Sequence, residues 1–202
     1  MVGLSFGQRH KTYQVMAIPP TSAHPTSQTH RFVHPEALQH PQRSFGYVVA
    51  AVRIALSGVF LWGFFDKLFG LGYATARENS WLNGGSPTSG FLNFGANGTL
   101  GNLFEPLAGQ AWVDWIFMMG LLGIGLALLL GIGMRIAAIS GVTLLMLMYA
   151  AVMPSANNPI IDDHLIYSLV LVALAMMNAG HVVGFGAQWQ ASAAVRRYPI
   201  LK

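Results

Sequence analysis

Residues 112–132 read WVDWIFMMGLLGIGLALLLGI, an apolar run interrupted by a single charge, Asp114. At 1.5 Å of rise per residue, a helix of this length reaches across a hydrocarbon core of roughly 30 Å. Lipid offers the backbone no hydrogen bonds, so a segment that crosses alone must be helical. Working outward, Gly133-Met134-Arg135 marks a tight reversal into a second run, roughly Ile136 to Met153, stopped by Pro154. Upstream, GYVVAAVRIALSGVFLWGFF lies within a span from about Phe45 to Phe65, and downstream a fourth runs from about Asp163 to Phe185. The expected fold class is an all-α integral membrane protein, a four-transmembrane-helix bundle.

Composition agrees. Of 202 residues, 53% are hydrophobic and 9% charged, against about 25% charged in soluble domains; the mean hydropathy is +0.50. No cysteine is present. Thiolate catalysis, disulfides and cysteine-held iron–sulfur clusters are therefore excluded from this chain. The net charge of +4 follows topology rather than nucleic acid. With four spans and the termini inside, Arg9, Lys11, Arg31, Arg43, Arg135, Arg196, Arg197 and Lys202 are inner, while Lys67 and Arg77 are outer. The positive-inside rule then places both termini in the cytoplasm of a cell membrane.

The expected organisation is a disordered tail over 1–43, a four-span domain over 44–188 and a short basic tail over 189–202. The first tail carries His10, His24, His30, His34 and His40 among five prolines. Their irregular spacing and the scarcity of acidic partners favour disorder over metal binding. An outer loop of roughly 70–111 is too long for a plain connector. Its aromatic, glycine-broken stretch GFLNFGANGTLGNLFEPLAG should lie at the membrane interface or dip into the bundle mouth, as a lid or a passive cover. Gly123, Ala127 and Gly131, with Ala137 and Gly141, form small-residue stripes that let helices approach closely.

Ionisable groups at bilayer depth are functional hypotheses by default. Arg53 and Lys67 differ by about 40° around a helix and so share a face with Ser57, Phe60 and Phe64. Asp162, Asp163 and His164 open the fourth span; one aspartate serves as N-cap, and the other exceeds what capping requires. Tyr167 shares a partly polar stripe of the fourth span with His164, and Tyr149, Trp112, Asp114, Trp115 and Lys67 should lie beside this mouth, a mixture suited to a small anion, a quinone head or both. His181 follows His164 by 17 residues, or about 25 Å along a continuous helix, too far for the two to ligate one haem. No haem, flavin or metal signature is evident.

The segments Arg53…Gly58…Gly63…Lys67, WVDWIFMMGLLGIGLALLLGIGMRIAAISG from Trp112 and NNPIIDDHLIY from Asn157 resemble the DoxX/DoxD family of four-span membrane proteins. The likeness covers about Tyr47 to Gln188 and is to the DoxD-like membrane subunit of thiosulfate:quinone oxidoreductase. It implies oxidation of thiosulfate to tetrathionate with membrane quinone as acceptor, usually beside a second small subunit or a redox partner. Under that resemblance His164 and Asp163 are the catalytic pair and Lys67 and Arg53 are substrate-binding; Tyr149 and Tyr167, on the residue reading alone, are further substrate-binding candidates. Lys67 draws in the dianion, and His164, held by Asp163, serves the quinone head. The alternative is a non-catalytic membrane scaffold for a partner redox enzyme; a small transporter or lipid-handling bundle ranks third.

Overall fold

The computed structural model describes residues 39–155 and 158–202. The four tail histidines up to His34, and Asn157 of the junction motif, lie outside the described residues, as does the expected disorder before Gln39, whereas His40 falls within the first helix. Helix α1 (Gln39–Phe69) begins ahead of the expected start at Phe45. A long loop follows, containing the one-turn α2 (Gly101–Phe104), and then come α3 (Ala111–Leu130) and α4 (Met134–Val152). Helix α5 (Asp163–Met176) precedes two five-residue helices, α6 (Gly186–Gln190) and α7 (Ala193–Arg197). No strand occurs among the described residues.

Among the described residues, three helices are long and apolar enough to cross a membrane: Arg43–Phe69, Ala111–Leu130 and Met134–Val152. They pack in sequence order, α1 on α3 and α3 on α4, and α5 closes against α4. Leu56, Phe60, Met118, Leu128, Leu171 and Leu174 fill the interior. Val59, Ile116, Ile139 and Leu169 point outward and are exposed. Large apolar side chains on both faces of a helix suit a bundle whose outer solvent is lipid. The class this defines is a helical membrane protein.

The fourth apolar stretch differs from expectation. Its helix stops at Met176, giving 14 residues or about 21 Å. Asn178 turns the chain at φ 49°, and Phe185 N then donates to Leu130 O at 2.8 Å, returning the segment to the end of α3. A continuous-helix distance from His164 to His181 therefore does not apply. The C-terminal residues are also more ordered than a tail. Trp189 Nε1 donates to Leu201 O at 2.6 Å, Arg135 N donates to Lys202 O at 2.8 Å, and Val195 is buried.

Glycine positions show which helix faces meet. Gly125, not Gly123, receives α1: a Cβ there would strike Leu61, and Ser57 Oγ donates to Gly125 O at 2.8 Å. Gly120 and Gly123 have open space where a side chain would go. Gly131 ends α3 at φ 72°, packed on Arg53 and Gly180, a conformation and a closeness that only glycine supplies. Gly141 does match its expected packing role, lying against Leu171.

Candidate functional site

Asp66 and Lys67 close the last turns of α1 and diverge. Asp66 is buried, and its Oδ1 accepts a long bond of 3.4 Å from Tyr73 N in the loop. Lys67 is half-buried, with its ammonium 5.8 Å from the centroid of the Phe117 ring. It opens into a cavity of about 450 Å³ lined also by Thr75, Asn79, Ser86, Ser89 and Phe91. Among the described residues Lys67 has no ion-pair partner within 4.0 Å.

The cavity wall is built from the long loop, and one carboxylate fixes it. Asp114, in the first turn of α3, is buried, and its Oδ1 accepts from Ser86 Oγ (2.9 Å), Thr88 N (3.0 Å) and Thr88 Oγ1 (2.6 Å). Farther along, Gly98 N donates to Ala151 O at 2.8 Å and Thr99 N to Met153 O at 2.9 Å, lashing the loop to the end of α4. Trp81 meets Trp115 edge-on, with centroids 4.7 Å apart. The loop is thus an anchored cover over the ends of α3 and α4. Sequence reading missed Thr75, Asn79, Ser86 and Ser89 as cavity residues. The available signal was an acid in the first turn of a span beside a serine- and threonine-bearing turn.

Arg53 shares the buried face of Ser57, Phe60 and Phe64, but it is not offered to a ligand. It is 0% exposed, and its Nη2 donates to Val183 O at 2.6 Å and Val182 O at 3.5 Å. Those carbonyls belong to the irregular segment after α5, beside the C-terminal end of α3, where a cation is favoured by the helix dipole. Arg53 therefore holds the segment after α5 beside the end of α3.

At the start of α5 the expected pairing is corrected. Asp162 is both N-cap and imidazole partner: its Oδ1 accepts from Leu165 N at 3.1 Å, and its Oδ2 lies 2.7 Å from His164 Nδ1. Asp163 Oδ1 is 3.9 Å from the same nitrogen, and its side chain is 72% exposed. Helical rotation explains this, since the cap residue turns its side chain back over the first turn while the next residue points outward. Burial acts to raise the Asp162 pKa, but the bonds from His164 and Leu165 N, with the imidazole's charge, outweigh it and hold the carboxyl below its ordinary value. Asp162, Asp163 and His164 present donor atoms within 4.8 Å of one another, although two of them already satisfy each other.

Tyr149 donates to Ile160 O at 2.6 Å and steadies the α4–α5 connection, where Asn158 Oδ1 also accepts from Ile160 N and Ile161 N. Tyr167 packs half-buried on the core. None of Tyr149, Tyr167, Asp163 or His164 lines the Lys67 cavity. The residues expected at one mouth thus fall into two groups, Lys67 with the loop and His164 with Asp162. No family model, curated protein or solved structure matches the chain.

Proposed function

We propose that the protein crosses a membrane four times, with α5 and the segment after it as the fourth crossing and both termini cytoplasmic, and that it acts as a DoxD-like membrane subunit of a quinone-linked oxidoreductase. The Lys67 cavity takes a small sulfur oxyanion, thiosulfate. Two thiosulfate dianions each give up one electron and join through a sulfur–sulfur bond as tetrathionate, and one quinone takes two electrons and two protons to become quinol. Helix α5 is short for a crossing, but tilt and local thinning of the bilayer accommodate such mismatch.

One observation carries the reading. Four charged residues are buried or half-buried in the three long apolar helices: Arg53, Asp66, Lys67 and Asp114. Arg53, Asp66 and Asp114 each bond backbone of an irregular segment. Lys67 alone bonds nothing and faces open space. A partnerless ammonium near the end of a span, beside free donors, is suited to receive an anion.

The test is thiosulfate binding and quinone reduction by protein reconstituted in lipid. Lys67→Gln should weaken thiosulfate binding about 10- to 100-fold, the range of a charge-assisted contact. Unchanged affinity, or no quinol from wild type with a co-expressed partner, would sink this reading. The separation of His164 from the Lys67 cavity favours a second reading, a non-catalytic membrane scaffold. Stoichiometric capture of a cofactor-bearing enzyme, with no turnover by the isolated chain, would select it.

A further inference from the structure

Beside the Lys67 cavity lies a second one of different chemistry. It is a cleft of about 270 Å³ between the halves of α3 and α4 nearest the loop, with Ile116 and Phe117 on one wall and Leu147 and Ala151 on the other. Its one hydroxyl-bearing residue, Thr88, is already committed to Asp114 at 2.6 Å. The cleft opens sideways, since Ile116 is 66% and Leu147 51% exposed. In a bilayer, that side faces acyl chains.

Two aromatic rings join this cleft to the Lys67 cavity. Phe91 lines both spaces. Phe117 lines the cleft, and the Lys67 ammonium sits 5.8 Å from its ring centroid. Within the span of a ring, an apolar slot gives way to a pocket with a cation and the side chains of Thr75 and Asn79, which have no partner among the described residues. Lys67 also occupies the last turn of α1, at the end of an apolar helix, where lysines meet lipid headgroups.

We propose that the two cavities together form a binding site for one anionic phospholipid, with an acyl chain in the cleft and the phosphate on Lys67, Thr75 and Asn79. This rests on the reading of Lys67 as an oxyanion-binding group, and it adds that a lipid phosphate and a free oxyanion compete for it. An apolar slot alone would not choose among lipids. The adjoining cation supplies the choice, favouring a phosphate with net negative charge over a zwitterionic head.

Native mass spectrometry of the full chain, released from nanodiscs containing phosphatidylglycerol and phosphatidylcholine, tests this directly. Wild type should retain one phosphatidylglycerol per chain. Lys67→Gln should reduce the preference over phosphatidylcholine about fivefold, the worth of one lysine near an anionic lipid surface. A double variant with Ile116→Phe and Leu147→Phe, at exposed positions that do not threaten folding, should lose the retained lipid. Equal retention of both lipids by wild type, an unchanged preference in Lys67→Gln, or full retention by the double variant overturns the proposal. So does a dimer with no lipid, which would make a second copy the occupant. Thiosulfate titrated into the wild type should displace the lipid. Lipid retention without displacement by thiosulfate removes the thiosulfate reading and leaves the lipid site standing, whereas thiosulfate binding with no lipid retained does the reverse.

Discussion

Asp114→Ala removes one acceptor oxygen that serves three donors, Ser86 Oγ at 2.9 Å, Thr88 N at 3.0 Å and Thr88 Oγ1 at 2.6 Å. Each hydrogen bond to a charged group contributes about 1.5–3 kcal/mol net, and the contributions are not additive. The serine hydroxyl can turn toward water, but the Thr88 amide bond is buried, so its unsatisfied N–H sets the scale of the loss. A local destabilisation of about 3 kcal/mol follows, or about two decades in the opening equilibrium. Hydrogen exchange followed by mass spectrometry should therefore show amides from Thr88 to Leu92 exchanging about 100-fold faster, if exchange tracks local opening. Core amides of α3, around Leu121 and Leu128, should keep their protection. Asp114→Asn retains a carbonyl acceptor and loses only the charge, so its effect should be smaller, about fivefold. Unchanged exchange in Asp114→Ala would refute the view that this carboxylate holds the cavity wall. Exchange accelerated equally throughout α3 would instead make Asp114 a global stability residue.

Two glycines on the same helix should answer oppositely to alanine. Gly131→Ala places a Cβ at φ 72° against Arg53 and the Gly180 backbone, so it should lower stability by more than the roughly 1–2 kcal/mol of a left-handed residue alone. Gly123→Ala meets open space and should be neutral or raise the melting temperature, with up to about 1 kcal/mol of helix propensity available. Asp162 gives a pH signature. Its folded-state pKa lies below its unfolded value, so its stabilisation is fully present above the ordinary carboxylate range and is lost as pH falls through the depressed folded value. Asp162→Asn should flatten that acid limb of melting temperature against pH; an identical limb in the variant would assign the acid sensitivity elsewhere.

The three long helices were legible because apolar length is itself the signal for crossing lipid. What escaped was rotation and return. Gly123 and Gly125 are both plausible contacts from spacing, and only the actual rotation of α3 against α1 selects Gly125. Asp162 and Asp163 are equally good caps by type, yet a one-residue register decides which carboxylate holds His164 and which is left in the open. The break after Met176 lies within a stretch of mixed apolar residues and glycines, where composition alone gives no sharp stop. It depends on Asn178 turning left-handed and on Arg53, more than 120 positions away, holding the carbonyls of Val182 and Val183. Asp114 and Thr88 are likewise 26 residues apart, a pairing that local pattern cannot register.

Stability can separate a structural charge from a working one in this bundle. Arg53, Asp66 and Asp114 each bond backbone of an irregular segment, and removing Asp114 strands the buried Thr88 amide. Lys67 makes no hydrogen bond or close ion pair among the described residues, and its desolvation is offset only in part by the Phe117 ring and the charge of neighbouring Asp66. Replacing it with methionine keeps the stem that packs along the apolar wall and deletes the charge. Lys67→Met should therefore melt at or above the wild-type temperature while losing oxyanion binding, the trade expected where a group is retained for function. Asp114→Ala and Arg53→Ala should melt lower under the same conditions. Were Lys67→Met to lose as much stability as these two, the ammonium would have a structural partner after all, and the assignment of the cavity as an anion site would lose its foundation.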